Sequence, residues 1–289
     1  MAYQSVEGIL KYCRAQGKRF FEAVLEDDME ERKVSREESL KEMYDMWDAM
    51  LLAGTSYEKE ARSASRLVGG QGAAVEEYRK KGDTLCGDYL NQVIEQALEM
   101  GESNACMKRI VAAPTAGACG VLPAVLIPFY RSGQGSHEQI VEALYVAAGI
   151  GQVIASRAFI AGAAGGCQAE IGAASSMAAA ALVALKGGTN EQIVHGAAMA
   201  LKNLLGLVCD PVAGLVEVPC VKRNVAGAVN AMACADMALA GIASAIPADQ
   251  VFDAMREVGE KMHPSLRETG EGGLAATKEG MRIVGELRH

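Results

Sequence analysis

Aromatic side chains are scarce, at 5% of 289 residues with a single tryptophan. Half of the residues are apolar, so a core has to be filled by Ala, Val, Leu, Ile and Met. Period-two alternation is missing throughout, and apolar runs such as Leu215-Val216 are too short to force a sheet. That absence leaves an all-α fold, a bundle of mostly buried helices, with Gly and Ala crowding the middle of the chain for close packing. Basic charge is also short: a net charge of −8 and a pI near 5.2 argue against a nucleic-acid surface. A charged-then-apolar leader is missing from Met1-Ala2-Tyr3-Gln4-Ser5-Val6-Glu7. The eight cysteines are therefore expected to be thiols of a reducing cytoplasm, not a disulfide framework. No fixed-period repeat divides the chain, and residues 1–289 read as one domain.

One stretch has the length of a membrane span. Residues 110–130 carry no charge before Arg131. Pro114, Gly117, Gly120, Pro123 and Pro128 interrupt it, however, and Thr115-Ala116-Gly117 reads as a loop. The expectation is a buried helix behind a loop, with no membrane partner.

The first 60 or so residues are charged and amphipathic. Ser35-Arg36-Glu37-Glu38 forms a capping box, after which Leu40, Met43, Tyr44, Trp47, Met50 and Leu51 recur at helical spacing as a core-facing stripe. These helices look least like a buried core, so part of a partner-docking surface is expected there. Arg62 to Gly72 then breaks the pattern with serines and glycines, including Ser65, Gly69 and Gly70, dense enough to let backbone approach a small anion. A plain flexible loop has the same composition. A helix is expected over 85–109. Val111 to Gly120 forms a second small-residue loop, with Thr115, Gly117 and Cys119, ahead of a Pro-kinked helix whose N-terminus suits a carboxylate. Ser136-His137-Glu138-Gln139 caps a helix to about Arg157, and Gly165-Gly166-Cys167 precedes one expected over 168–186. Gly187-Gly188 ends it, Thr189-Asn190-Glu191-Gln192 caps the next, and an Ala-rich helix is expected from about Val221 to Ile246.

Between two of these helices lies Cys209-Asp210-Pro211-Val212-Ala213-Gly214-Leu215-Val216-Glu217-Val218-Pro219-Cys220. A non-helical segment between buried helices must find partners for its backbone groups. Two prolines stiffen this one. Two thiols on a rigid loop, with a third available elsewhere, meet the needs of a metal or iron–sulfur site. Small buried hydrophobes are the competing reading, and the spacing matches no standard zinc or ferredoxin run. Cys167 and Cys220 stand at helix N-termini, which favour thiolate. Cys106 and Cys234 lie within helical patterns, Cys13 and Cys86 in charged surroundings, and Cys119 is the rival ligand.

The words Leu204 to Cys220, Val111 to Gly117 and Gly165-Gly166-Cys167-Gln168-Ala169-Glu170-Ile171-Gly172 resemble the α subunit of bacterial iron–sulfur-dependent L-serine dehydratases. Val24-Leu25-Glu26-Asp27 and Gly272-Gly273-Leu274-Ala275 extend the resemblance over nearly the whole chain. The family spacing of cluster cysteines, C-x41-C-x10-C, is met by Cys167, Cys209 and Cys220. The resemblance implies a [4Fe–4S] cluster on these three, one iron left open as Lewis acid for the substrate hydroxyl, and conversion of L-serine to pyruvate and ammonia. Pyridoxal phosphate is not expected, because no glycine-rich phosphate cradle stands in the right context.

The resemblance also implies a β-type subunit carrying a Ser-Ser-Ser-His-Thr element, a run this chain does not contain. Of its four histidines, His195 in an apolar helix is the weak candidate for the base. Lys222 and Arg223 follow Cys220 and suit a substrate carboxylate, or form a solvated basic pair. Two positions depart from the family pattern: Gly69-Gly70 is followed by Gln71-Gly72 where Gly-Asp is usual, and the chain ends in Leu287-Arg288-His289 where single-chain relatives can place a cysteine on the open iron. The expectation is that no tail thiolate occupies that iron, with His289 as the one tail group in reach. Two further functions share the motif set: a β-eliminase of another substrate, such as an L-cysteine desulfidase, and a non-catalytic iron–sulfur sensor. Anaerobically purified protein is expected to be brown with about four irons per chain. Iron analysis that finds none would remove the cluster from all three.

Overall fold

The computed structural model describes residues 3–287. Among them there is no strand. The α-helices are α1 (Val6–Gln16), α2 (Phe20–Arg32), α3 (Arg36–Thr55), α4 (Gln71–Arg79), α5 (Gly87–Ala105), α6 (Val121–Arg131) and α7 (His137–Arg157). They continue as α8 (Gly162–Gly165), α9 (Ala173–Leu185), α10 (Asn190–Lys202), α11 (Cys220–Leu239), α12 (Ala248–Lys261) and α13 (Lys278–Leu287).

Three of these starts are written in the sequence. Ser35, Ser136 and Thr189 each accept from the N3 backbone N–H while Glu38, Gln139 and Gln192 reach back to the cap, closing three capping boxes. The stops follow glycine as well. Gly187 ends α9 at a φ of 75°, and Gly241, at 90°, ends α11 well short of Ile246.

Helix α9 is the axis of the bundle, packed by α6, α7, α10 and α11. Six of its seven alanines are fully buried, and its two serines turn inward without cost because each finds a carbonyl. Ser175 Oγ donates to Gly227 O at 2.7 Å and Ser176 Oγ to Ala197 O at 2.9 Å. Alanine at these contacts lets neighbouring backbones approach closely. Two segments, His137–Arg157 and Gln168–Leu185, are long and apolar enough to cross a membrane, but they are 67% and 83% buried inside the fold. They serve here as core helices. The uncharged stretch at 110–130 is likewise divided, with a loop before α6.

The N-terminal helices differ from expectation. Val6, Ile9, Leu10, Phe20, Phe21, Val24 and Leu25 are buried in the main core, as are Trp47 and Met50 of the α3 stripe. Even Cys13, surrounded by charge in sequence, is buried. The charged residues occupy the outer faces of α1 and α2, so only those faces remain for docking; the inner faces belong to the core.

Helix α12 carries the most direct link between the bundle and the cysteine loops. A methyl group on Gly259 would lie 2.9 Å from the Gly165 Cα, beside the turn that leads to Cys167. That contact is backbone to backbone and has no flexible side chain to yield. Gly259→Ala is expected to cost about 1–3 kcal/mol, read as a lowered midpoint of thermal or denaturant unfolding. An unchanged midpoint would mean that α12 shifts freely.

Candidate metal centre

The three cysteines implied by the resemblance come from two segments, Cys167 from the turn before α9 and Cys209 and Cys220 from the two ends of the loop before α11, and hydrogen bonds tie these segments and the Thr115 loop together. Cys167 follows Gly166, whose φ of 78° turns the chain and whose Cα faces Met262 and the Leu207 carbonyl too closely for a side chain. The residues after Cys167 do not continue as one α-helix. Gln168–Gly172 is a π-helical turn before α9, a form that recurs at functional sites. Gln168 explains part of this local geometry. Its N–H donates to Leu207 O at 2.9 Å, its Nε2 to Gly165 O and Met255 O, and its Oε1 accepts from Gly206 N. The turn that carries Cys167 is thus stitched to the segment that leads into Cys209.

Cys209 is pinned on its other side by an isolated β-bridge to Arg267. Its N–H donates to Leu266 O at 2.8 Å, and its carbonyl accepts from Glu268 N at 2.7 Å. Next to it, Asp210 accepts from Arg223 Nη2 at 2.8 Å and from Leu274 N at 2.8 Å, while Arg223 Nη1 donates to Val208 O at 2.7 Å. Cys220 opens α11. One turn on, Asn224 Nδ2 donates to both Cys220 O and Gly117 O, and its Oδ1 accepts from Gly120 N. That single amide fastens the Thr115–Gly120 loop to the Cys220 helix.

All three thiols are free and buried, with side chains at 3%, 3% and 8% exposure for Cys167, Cys209 and Cys220. Burial outweighs the helix N-termini expected to favour thiolate. Burial pushes Cys167 up to about 11, with Arg223 opposing, and Cys220 up to about 12, with Cys167 adding to it. Cys209 is raised by burial first and then by Cys167, so the three are electrostatic neighbours. Among the described residues no three His, Cys, Asp or Glu groups converge as ligands of one metal ion. Three buried, electrostatically neighbouring thiols are chemically the type of donor set that a thiolate-held cluster takes.

The remaining predicted residues divide. Thr115 and Gly117 lie at the site: Thr115 Oγ1 donates to Glu170 Oε1 at 2.7 Å, and a methyl on Gly117 would sit 3.0 Å from that same oxygen. Arg223 is there too, but both its terminal nitrogens are engaged by the Cys209 segment. Lys222 is exposed. Ser65, with Ser63, donates to the buried Glu217 carboxylate of the two-cysteine loop. The backbone N–H of Gly69 is taken from within the chain: Glu102, 1% exposed, accepts from Gly69 N, Gln71 N, Gly72 N and Tyr57 OH. Gly70, at a φ of 76°, caps α4 beside it. His195 Nδ1 accepts from Ser244 N at 3.3 Å on the α10–α11 side of the bundle. Cys119 is fully buried, its thiol aimed at Met100 O, and burial pushes it up to about 12. His289 lies outside the described residues.

Sequence reasoning missed Asp210, Asn224 and Glu170 as individuals, although each stands within or beside a quoted motif. Glu170 is half-buried on the π-helical turn. Burial raises its carboxyl above the usual carboxylate range and Glu268 adds to this, while the Thr115 hydrogen bond opposes it.

Fold and site together define a helical protein that carries three buried thiols on two hydrogen-bonded segments. The sequence matches the serine dehydratase alpha chain family model over residues 15–275, and the chain belongs to this family. It is 43% identical over 281 residues to a probable L-serine dehydratase alpha chain of Bacillus subtilis, covering 97% of this chain and 94% of the relative. It is 42% identical over 276 residues to the L-serine dehydratase alpha chain of Peptoniphilus asaccharolyticus, covering 95% and 94%. L-serine dehydratase 1 of Escherichia coli is 36% identical over 280 residues, which is 94% of this chain but 61% of that longer protein.

The Asp210–Arg223 pair should be the most sensitive support of the site. Asp210→Ala leaves a guanidinium at 16% exposure without its carboxylate. The expected loss is about 3 kcal/mol of stability, the low end for a broken buried pair, because Arg223 keeps the Val208 carbonyl and some solvent. Denaturant unfolding checks this, and limited proteolysis should cut first within 209–220.

Proposed function

We propose that this chain is the α-type subunit of an L-serine dehydratase, which deaminates L-serine to pyruvate and ammonia, and that Cys167, Cys209 and Cys220 hold a [4Fe–4S] cluster. The observation that carries the proposal is three free, buried thiols that are electrostatic neighbours on hydrogen-bonded segments, in a chain 42–43% identical to L-serine dehydratase alpha chains. When bound, the cluster supplies Lewis acidity towards the substrate hydroxyl, a poor leaving group without charge stabilisation.

The chain's own residues supply rigidity and exclusion of water. Arg223 and Asp210 hold the Cys209 backbone, Asn224 holds the Thr115 loop against the Cys220 helix, and Gln168 holds the Cys167 turn against Leu207. Thr115 and Glu170 present a polar edge to this assembly. Lys222 remains a candidate for the substrate carboxylate at the exposed end of the loop. Gly69 acts through its grip on Glu102, Gly70 by capping α4 beside it, and Ser65 through Glu217.

The base that removes the α-proton is assigned to a β-type subunit. Among the described histidines, His137 pairs with Asp48, His195 with Ser244 N and His263 with Ser265, and none is hydrogen-bonded to a residue of the three loops' cysteine-bearing turns. The length of the Escherichia coli relative supports this division, since that protein extends well beyond the region this chain matches. The expected site of action is the cytoplasm, where thiols stay reduced.

The test is an anaerobic pyruvate assay on the cluster-loaded chain with and without a subunit bearing the Ser-Ser-Ser-His-Thr element. L-Serine should be consumed only when both are present, air should abolish the activity, and ferrous iron with reductant should restore it. Cys167→Ala, Cys209→Ala and Cys220→Ala should lose the iron, whereas Cys234→Ala should keep it. Turnover by the isolated chain would sink the partner assignment, and preference for L-cysteine would move the chain to the desulfidases.

A further inference from the structure

Four carboxylates stand on or next to the three loops, and three of them are already accounted for. Asp210 is filled by Arg223 and Leu274 N. Glu217 is held through Oε2 by Ser63 and Ser65. Glu268 is exposed and uses its backbone N–H, not its side chain, to hold Cys209. Glu170 is different. It is half-buried, accepts one hydrogen bond, from Thr115, and makes no ion pair among the described residues. An ionised carboxylate offers about four acceptor positions, so most of this group's capacity is open.

Its position is defined by two glycines. A methyl on Gly162 would lie 2.8 Å from Glu170 Oε2 and 2.7 Å from Cys209 Sγ, so carboxylate and thiol border the same small space. A methyl on Gly117 would lie 3.0 Å from Oε1 on the other side. Side chains are absent where the carboxylate faces Cys209 and where it faces the Thr115 loop. The π-helical turn after Cys167 sets Glu170 at this point, on a backbone course that a continuous α-helix would not follow.

L-Serine carries a carboxylate, an ammonium and a hydroxyl. Under the function proposed above, on which this step rests, the hydroxyl is assigned to the metal centre. A half-buried carboxylate with one oxygen unpartnered among the described residues, bordered by a thiol and two glycines, is suited to a cation with several N–H donors. We infer that Glu170 binds the α-ammonium of the substrate, and that Thr115, by holding Oε1, fixes the direction in which Oε2 receives it. Thr115 is then a positioning residue and Glu170 a substrate-binding one. This assigns the enzyme's selection of amino acids over 2-hydroxy acids to one side chain.

The test compares L-serine with L-glycerate, which puts a hydroxyl where serine has its ammonium, on the cluster-loaded complex with the β-type subunit. For Glu170→Gln, iron content and visible spectrum should be retained and the KM for L-serine should rise on the order of 10- to 100-fold, the loss of a hydrogen bond between charged groups. The inhibition constant of L-glycerate should stay unchanged or fall. Glu170→Asp keeps the charge but shortens its reach, and it should give a smaller rise in KM with iron intact. Equal weakening of both ligands, an unchanged KM in Glu170→Gln, or loss of iron from both variants would overturn the inference. Calorimetric titration with the two ligands reads the same discrimination without turnover. A wild-type complex that prefers L-serine over L-glycerate, loses that preference in Glu170→Gln and forms no pyruvate would sink the dehydratase reading while upholding the ammonium site.

Discussion

The arginine at position 223 is the interaction on which the geometry of the site depends. It emerges from the first turn of α11, three residues after Cys220, and reaches the segment of Cys209 through Val208 O and Asp210. Asp210 in turn holds Leu274 N, in the segment that leads to the C-terminal helix. A cation next to three buried thiols also offsets part of their desolvation, and its charge opposes the upward push on Cys167 and Cys220. One side chain therefore acts as a mechanical tie and as an electrostatic counterweight. A lysine could supply the charge but not two directed bonds to a carbonyl and a carboxylate.

The helical bundle explains why loops can be held so firmly. Loops normally run over a surface, because buried backbone groups need partners. Here the loops are buried and their partners come from side-chain amides and from one another: Gln168 for Gly206, Asn224 for Gly117 and Gly120, and Leu266 for Cys209. The alanine-rich α9 permits this by keeping α6, α7, α10 and α11 close around it.

Much of the fold was legible because helix boundaries are local. Capping boxes at Ser35, Ser136 and Thr189 involve residues three apart, and glycine stops involve single positions, so both could be read directly. The end of α11 was misplaced because the alanines up to Leu239 continue in composition past Gly241, where a left-handed φ ends the helix. The burial of α1 and α2 was not legible either: their charged outer faces dominate the composition, while seven apolar residues turn inward. The π-helical turn could not be read at all, since its cause is the engagement of Gln168 with Gly206 and Met255, residues 38 and 87 positions away. For the site, long motif words located the loops, but only tertiary contacts distinguish a group that is used from one that is available.

That distinction is clearest among the acidic groups. The serine–glycine segment looked like an anion cradle, and its N–H groups do hold an anion, but it is Glu102 from α5. Ser65, equally suggestive, is committed to Glu217. Both contacts lock elements distant in sequence, and both engage a buried carboxylate from within the chain. Glu170 is less buried than either, and its Oε2 has no hydrogen-bond partner among the described residues. Its compensation there is incomplete: one hydroxyl, no cation, and two glycines where side chains would otherwise fill the space. A folded protein keeps such an imbalance where something outside the chain completes it, as local departures from self-consistency tend to gather at functional sites. The imbalance lies beside Cys209, at the meeting point of the three loops, and this is why chemistry is better sought there than at the glycine-rich turn that first attracts the eye.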